Sequence, residues 1–123
     1  MIKNIILIAL GGSLGSVLRY LSNLGILKIW STKAYYATFL VNIIGCLLIG
    51  LLFGYFQKNE SSNESLKLFF MTGFCGGFTT FSTFGLENYN LLQSQNYTTT
   101  LLYITASIIV GILFVGIGIY LTK

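Results

Sequence analysis

The stretch Gly73-Phe74-Cys75-Gly76-Gly77-Phe78-Thr79-Thr80-Phe81-Ser82-Thr83-Phe84-Gly85 decides how this chain folds. It stands in the middle of a segment from about residue 66 to 89 that is long enough to cross a bilayer. Four glycines and four hydroxyls crowd into thirteen residues there, which makes a poor continuous helix. Non-helical backbone at membrane depth is tolerated only where protein buries it or it lines a polar cavity. The segment therefore predicts a third membrane span that is broken in its middle and faces something polar.

Three further apolar segments flank it, at about residues 5–24, 37–56 and 101–121, each close to the roughly 20 residues that cross about 30 Å of hydrocarbon. The expected fold is an all-α membrane protein with four transmembrane helices, the third broken, in one channel-like domain over residues 1–123. Composition agrees: 54% of the residues are apolar and 8% charged, against roughly 25% charged in an average soluble domain. The first segment has Lys3 ahead of it and small residues at Gly11, Gly12 and Ser13, as a secretory signal would. It continues apolar past them, carries Arg19 and is followed by three more segments, so it reads as a span and not a cleaved signal. Lys28, Trp30, Lys33, Tyr35 and Tyr36 have the cation and aromatic mixture of an interfacial belt, and residues 57–65 form a polar loop.

The net charge of +4 comes from seven scattered Lys and Arg. It lacks the clustered stripe of a nucleic-acid binder and suits anchoring at membrane edges, so no nucleic-acid partner is expected. Lys3, Lys58, Lys67 and Lys123 fall on the side of the termini, against Lys28, Lys33 and Arg19 on the other. So weak a bias favours insertion in both orientations, and with it an antiparallel homodimer, although small counts also suit one fixed orientation. There is no His, Pro or Asp, and the acids are Glu60, Glu64 and Glu87 alone. That leaves few groups for acid-base or metal-assisted catalysis, and the chain is not read as an enzyme. Cys46 and Cys75 sit in apolar segments as small hydrophobes without a metal-ligand pattern.

The candidate functional residues each carry two readings. Gly11 with Gly15, and Gly12 with Ser16, are four apart, and such faces let helices approach closely. Arg19 either snorkels to the interface or makes an aqueous vestibule attractive to an anion. Asn42, an amide in an otherwise apolar span, either glues helices together or solvates something passing by. Tyr103 and Ser107, one turn apart, share that ambiguity. Phe81 and Phe84 project from one face if the segment after the break is helical. Packing alone does not account for their alternation with hydroxyls beside a glycine-rich break.

On these residues the chain resembles the Fluc (CrcB) family of bacterial fluoride channels over nearly its whole length. The resemblance rests on Gly11-Gly12, Gly15 and Arg19-Tyr20 in the first span, on Val41-Asn42 with Gly45 in the second, and on the run from Gly73 to Phe84 in the third. It implies a dual-topology dimer of antiparallel subunits in the bacterial inner membrane, with two narrow pathways for passive fluoride export. It also implies a structural sodium ion at the dimer centre, held by backbone carbonyls of Gly76 and Thr79. By the same resemblance Phe81, Phe84, Ser82, Thr83, Thr38 and Arg19 belong to the fluoride pathway. Asn42 would donate to the ion, Tyr103 and Ser107 would form a polar track, and Glu87 matches a family position. Some members pair two related proteins of fixed orientation, so half of a heterodimer is the companion expectation. The chain departs from the pattern at Ala37-Thr38, where Gly-Thr is common, and at Gly111, where some members carry another hydroxyl.

The physics of the ion is consistent with this. Fluoride is small and strongly hydrated, so a pore must replace many hydrogen bonds, yet a buried cationic side chain would hold it too tightly to leave. Neutral donors and the positive edges of aromatic rings suit conduction through several moderate sites. Two other classes compete. A small proton-coupled multidrug exporter needs an intramembrane carboxylate, and Glu87 lies near an end of the third segment. A scaffold protein needs only the glycine faces.

Overall fold

The computed structural model describes residues 1–29, 33–59 and 64–123; Trp30 of the expected aromatic belt and Glu60 lie outside the described residues. Among the described residues every regular element is a helix and no strand occurs. Helix α1 spans Ile2–Ile29 and α2 spans Ala34–Lys58. Helix α3 covers residues 64–78, as an α-helical turn Glu64–Lys67, a π-helical stretch Leu68–Cys75 and a last α-helical turn Gly76–Phe78. Helix α4 is Phe81–Gln93 and α5 is Tyr97–Leu121. Among the described residues α1, α2 and α5 are long and apolar enough to cross a membrane. The segment at 66–89 is divided between α3 and α4.

Glycine dictates how these helices pair. Lipid tails are as apolar as leucine, so spans associate through close packing, and a residue without a side chain lets backbones meet. Helix α1 packs mainly on α3, and α2 mainly on α5. A methyl group placed on Gly11 would overlap the Phe69 carbonyl oxygen, and one on Gly15 the Phe74 carbonyl oxygen. From the other side, a methyl on Gly73 would lie 2.9 Å from the Ile8 carbonyl oxygen, and one on Gly77 would collide with Gly12. The same logic joins α2 to α5, where Gly50 lies under Val115 and Gly118 under the backbone of Leu47 and Leu51.

This corrects one expectation. Gly73 and Gly77 do not unwind the backbone; they are helical and form the seam with α1. The interruption falls on Thr79 (φ −82°, ψ 160°) and Thr80 (φ −147°, ψ 120°), both extended, and no described glycine has a positive φ. Extended backbone needs no glycine, so the break is made by side-chain chemistry.

The turn from α4 to α5 is a Schellman motif: the Gln95 N–H donates to the Leu92 carbonyl (3.0 Å) and the Asn96 N–H to that of Leu91 (2.9 Å). Gln95 takes the left-handed position (φ 62°) that glycine would occupy at least cost. The Asn96 side chain then caps α5 by accepting from Thr99 N–H (3.4 Å). The core between helices is small, built on Val41, Ala37, Thr38, Cys75, Phe78 and Tyr103. Ile112, Leu101 and Leu102 are exposed on α5, as lipid-facing residues are.

Candidate functional site

A continuous helix would aim the Thr80 N–H at the carbonyl of Gly76 and the Thr83 N–H at that of Thr79. Both donors are diverted. Thr80 N–H donates to Asn42 Oδ1 (2.8 Å), while Asn42 Nδ2 donates back to the Thr80 carbonyl (3.1 Å). Thr83 N–H donates to Thr80 Oγ1 (3.3 Å), which caps α4. The carbonyls of Gly76 and Thr79 thus lose their i+4 helical donors. Arg19 of α1 reaches across and donates from Nη1 to the Thr79 carbonyl (3.3 Å).

Beside the interruption lies a cavity of about 550 Å³. Asn42, Gly76, Thr79, Phe81, Phe84 and Ser107 all line it, and so do Cys46, Met71 and Cys75. No charged side chain is among its described lining residues. Ser107 Oγ is shielded from solvent and has no hydrogen-bond partner, an unmet capacity that favours a ligand or water there. Phe81 and Phe84 share a face with centroids 5.9 Å apart, and Phe84 meets the ring of Tyr103 edge-on at 4.9 Å. Phe81 is 83% exposed in the single chain, which is far from a packing role within it.

A second polar cluster ties α2, α4 and α5 together. Thr38 Oγ1 donates to Glu87 Oε2 (2.8 Å) and the Tyr103 hydroxyl to Glu87 Oε1 (2.8 Å). Both donors are buried residues. Tyr103 also meets Tyr35 (5.7 Å), so aromatic rings run from Phe81 through Phe84 and Tyr103 to Tyr35. Glu87 opens on its far side into a smaller recess shared with Lys33, Asn90, Ser94 and Asn96.

The residues singled out in the sequence are therefore distributed unequally. Asn42, Phe81, Phe84, Ser107, Gly76 and Thr79 converge on one cavity. Thr38 and Tyr103 converge on Glu87, and Arg19 holds the break from α1. Ser82 and Thr83 do not line the cavity: Ser82 is exposed on the first turn of α4, and Thr83 gives its backbone N–H to the cap. Thr80 was not singled out as a site residue, although Thr immediately before a helical Phe-Ser-Thr-Phe run is a recognisable cap signal. Ala37 is buried beside Thr38, where its small size suffices. A methyl at Gly111 would stand 3.4 Å from Cys46 Sγ, so the glycine there leaves room for the thiol.

Fold and site together define a small multi-pass integral membrane protein whose polar groups gather at a helix interruption. The family described as CrcB-like protein, Camphor Resistance (CrcB), matches residues 6–119. The chain belongs to the CrcB family. It is 51% identical, over 98% of both chains, to the fluoride-specific ion channel FluC of Flavobacterium psychrophilum. It is 48% identical to the protein of that name from Azobacteroides pseudotrichonymphae, over 100% of this chain and 98% of the relative. The like-named protein of Phocaeicola vulgatus is 43% identical over 98% of this chain and 99% of its own.

Proposed function

We propose that this protein is a fluoride-selective ion channel of the bacterial cell membrane that lets fluoride leave the cytoplasm passively, and not an enzyme. The observation that carries this is the uncharged cavity at the break, where an amide, an unpartnered hydroxyl and two aromatic rings adjoin one another. Such a lining offers an anion several moderate contacts and no fixed cation to trap it. Relatives of nearly equal length are named fluoride-specific ion channels. The exporter alternative needs a carboxylate in the transport cavity, and Glu87 lies outside it, held by Thr38 and Tyr103.

The working unit in this reading is an antiparallel dimer of identical chains, with the divided segment at 66–89 acting as one broken span. The exposure of Phe81 and the open side of the cavity support it, since a second copy would complete the wall. The donor set also suits a central sodium ion: Gly76 and Thr79 present carbonyls stripped of their helical donors, and hard cations take oxygen ligands. When bound, such an ion offsets the cost of bringing an anion into low dielectric. Thr79 would then share its carbonyl between sodium and Arg19.

Purified protein in liposomes, followed with a fluoride electrode, tests the function. Fluoride efflux with chloride retained is the expected result; absent efflux, or equal loss of chloride, overturns it. Efflux that persists after exhaustive replacement of sodium by an organic cation would remove the sodium ion from the proposal.

A further inference from the structure

Three sulfur-bearing side chains line the cavity and have no part in conduction as described: Cys46, Met71 and Cys75. Helix α2 brings Cys46 one turn beyond Asn42. Met71 and Cys75 lie four apart in the π-helical stretch of α3, whose i→i+5 bonding keeps them on one face. They approach the cavity from two helices. Gly111 of α5 adds no side chain beside the Cys46 sulfur, and both cysteines are free thiols.

We propose that Cys46, Cys75 and Met71 form a binding site for a soft monovalent metal ion, of the class of Ag⁺ and Cu⁺, and that an ion held there closes the pathway. Thiolate and thioether ligands select soft cations, whereas the carbonyls of Gly76 and Thr79 a few residues on suit a hard one. Two cation chemistries thus adjoin each other in one cavity without competing for ligands. Binding is a proton exchange: one S–H bond breaks, a sulfur–metal bond forms, the proton leaves to water, and no electron is transferred. A monovalent ion on one thiolate is neutral as a pair, which limits the cost of placing it at this depth. Conduction requires that an occupant leave readily, and a thiolate-held metal does not. The block rests on the conduction reading above; the binding does not.

The first measurement uses protein in detergent and chloride-free nitrate buffer, exposed to Ag⁺, desalted and assayed for silver. Silver retained at about one ion per chain, reduced in Cys46→Ala and in Cys75→Ala and lost in the double variant, is the expected result. Met71→Leu keeps the shape of the cavity wall and weakens retention. Retention that is the same in the double variant, or nil in the parent protein, overturns the site. The second measurement adds Ag⁺ to liposomes during fluoride efflux. Efflux slows about tenfold or more, recovers with dithiothreitol and is indifferent to Ag⁺ in the double variant; equal block of parent and double variant overturns the proposal. Because retention is read without fluoride, a protein that holds silver but conducts no fluoride refutes the conduction reading alone.

Discussion

Asn42→Ala removes both halves of the pairing between α2 and the interruption. The Thr80 N–H loses Oδ1 at 2.8 Å and the Thr80 carbonyl loses Nδ2 at 3.1 Å. A buried polar group left unpaired costs about 1–3 kcal/mol, which sets an upper figure of about 6 kcal/mol for the two. Interhelical hydrogen bonds measured within membranes average about 0.6 kcal/mol each, which sets a floor near 1 kcal/mol. The Thr80 N–H has a substitute acceptor, because rotating the break toward helix returns it to the Gly76 carbonyl. The expected loss therefore lies toward the lower end, at about 1–3 kcal/mol. It is accompanied by a change of shape: the break partly heals and Gly76 is no longer available. Amide hydrogen exchange at Thr80 and Thr83 is the assay, with thermal unfolding in detergent beside it. Exchange at Thr80 speeds up on the order of 10- to 100-fold, with a lowered unfolding temperature and lost fluoride efflux. A variant with parental stability and parental exchange at Thr80 that nevertheless fails to conduct would refute this reasoning, since Asn42 would then serve the ion and not the break.

Other substitutions separate packing from conduction. Phe81→Ile abolishes or sharply slows fluoride efflux while leaving the unfolding temperature unchanged, because Phe81 is exposed within the chain; a large fall in stability would show it to be a packing residue. Phe84→Ile loses efflux too, and also about 0.5–1.5 kcal/mol of edge contact with Tyr103, read by thermal unfolding. Glu87→Gln turns two charge-assisted bonds into neutral ones and makes the Thr38 or Tyr103 hydroxyl accept from the new amide instead of donating, which weakens the cluster by about 1–2 kcal/mol. A cycle with Tyr103→Phe should show coupling of about 0.5–3 kcal/mol, and none if the hydroxyl and carboxylate act separately. Gly15→Ala forces α1 off α3 at a cost of about 1–3 kcal/mol, whereas Gly116→Ala, with nothing within 4 Å, is tolerated in the single chain. Gln95→Gly relieves the left-handed residue of the α4–α5 turn and raises stability by about 1 kcal/mol in thermal unfolding.

The long helices were legible because bilayer thickness imposes a length that hydropathy reveals directly. Helix α1 outruns its expected segment of about residues 5–24 at both ends, because polar Lys3 and Lys28 continue a helix as readily as they leave the hydrocarbon. The glycines were legible as small residues but not by purpose. Gly11 and Gly15 could be assigned to packing because four-residue spacing says so, yet Gly73 and Gly77 have the same spacing and lie inside a run that looked like a breaker. Only the opposing helix distinguishes them, and a single sequence does not state which helix opposes which. Asn42 was ambiguous for a related reason: an amide both donates and accepts, and its two partners are on a backbone 38 residues away.

The interruption itself joins these threads. A helix can be broken by glycine or proline acting on the backbone alone, or by side chains that outcompete the i+4 carbonyl for its donor. Here the second route operates twice in succession, at Thr80 through Asn42 and at Thr83 through the Thr80 hydroxyl. The two diversions withdraw the helical donors of Gly76 and Thr79, and the same interruption ends the ladder for the carbonyls of Gly77 and Phe78 between them. A glycine break would free the same oxygens but leave them in many conformations. Thr80, pinned at both its backbone groups by an amide from α2, and a guanidinium from α1 on the Thr79 carbonyl fix the gap within the single chain. The conformational entropy of arranging these carbonyls is then met largely by folding, leaving less to be supplied by the ion and the second chain proposed above.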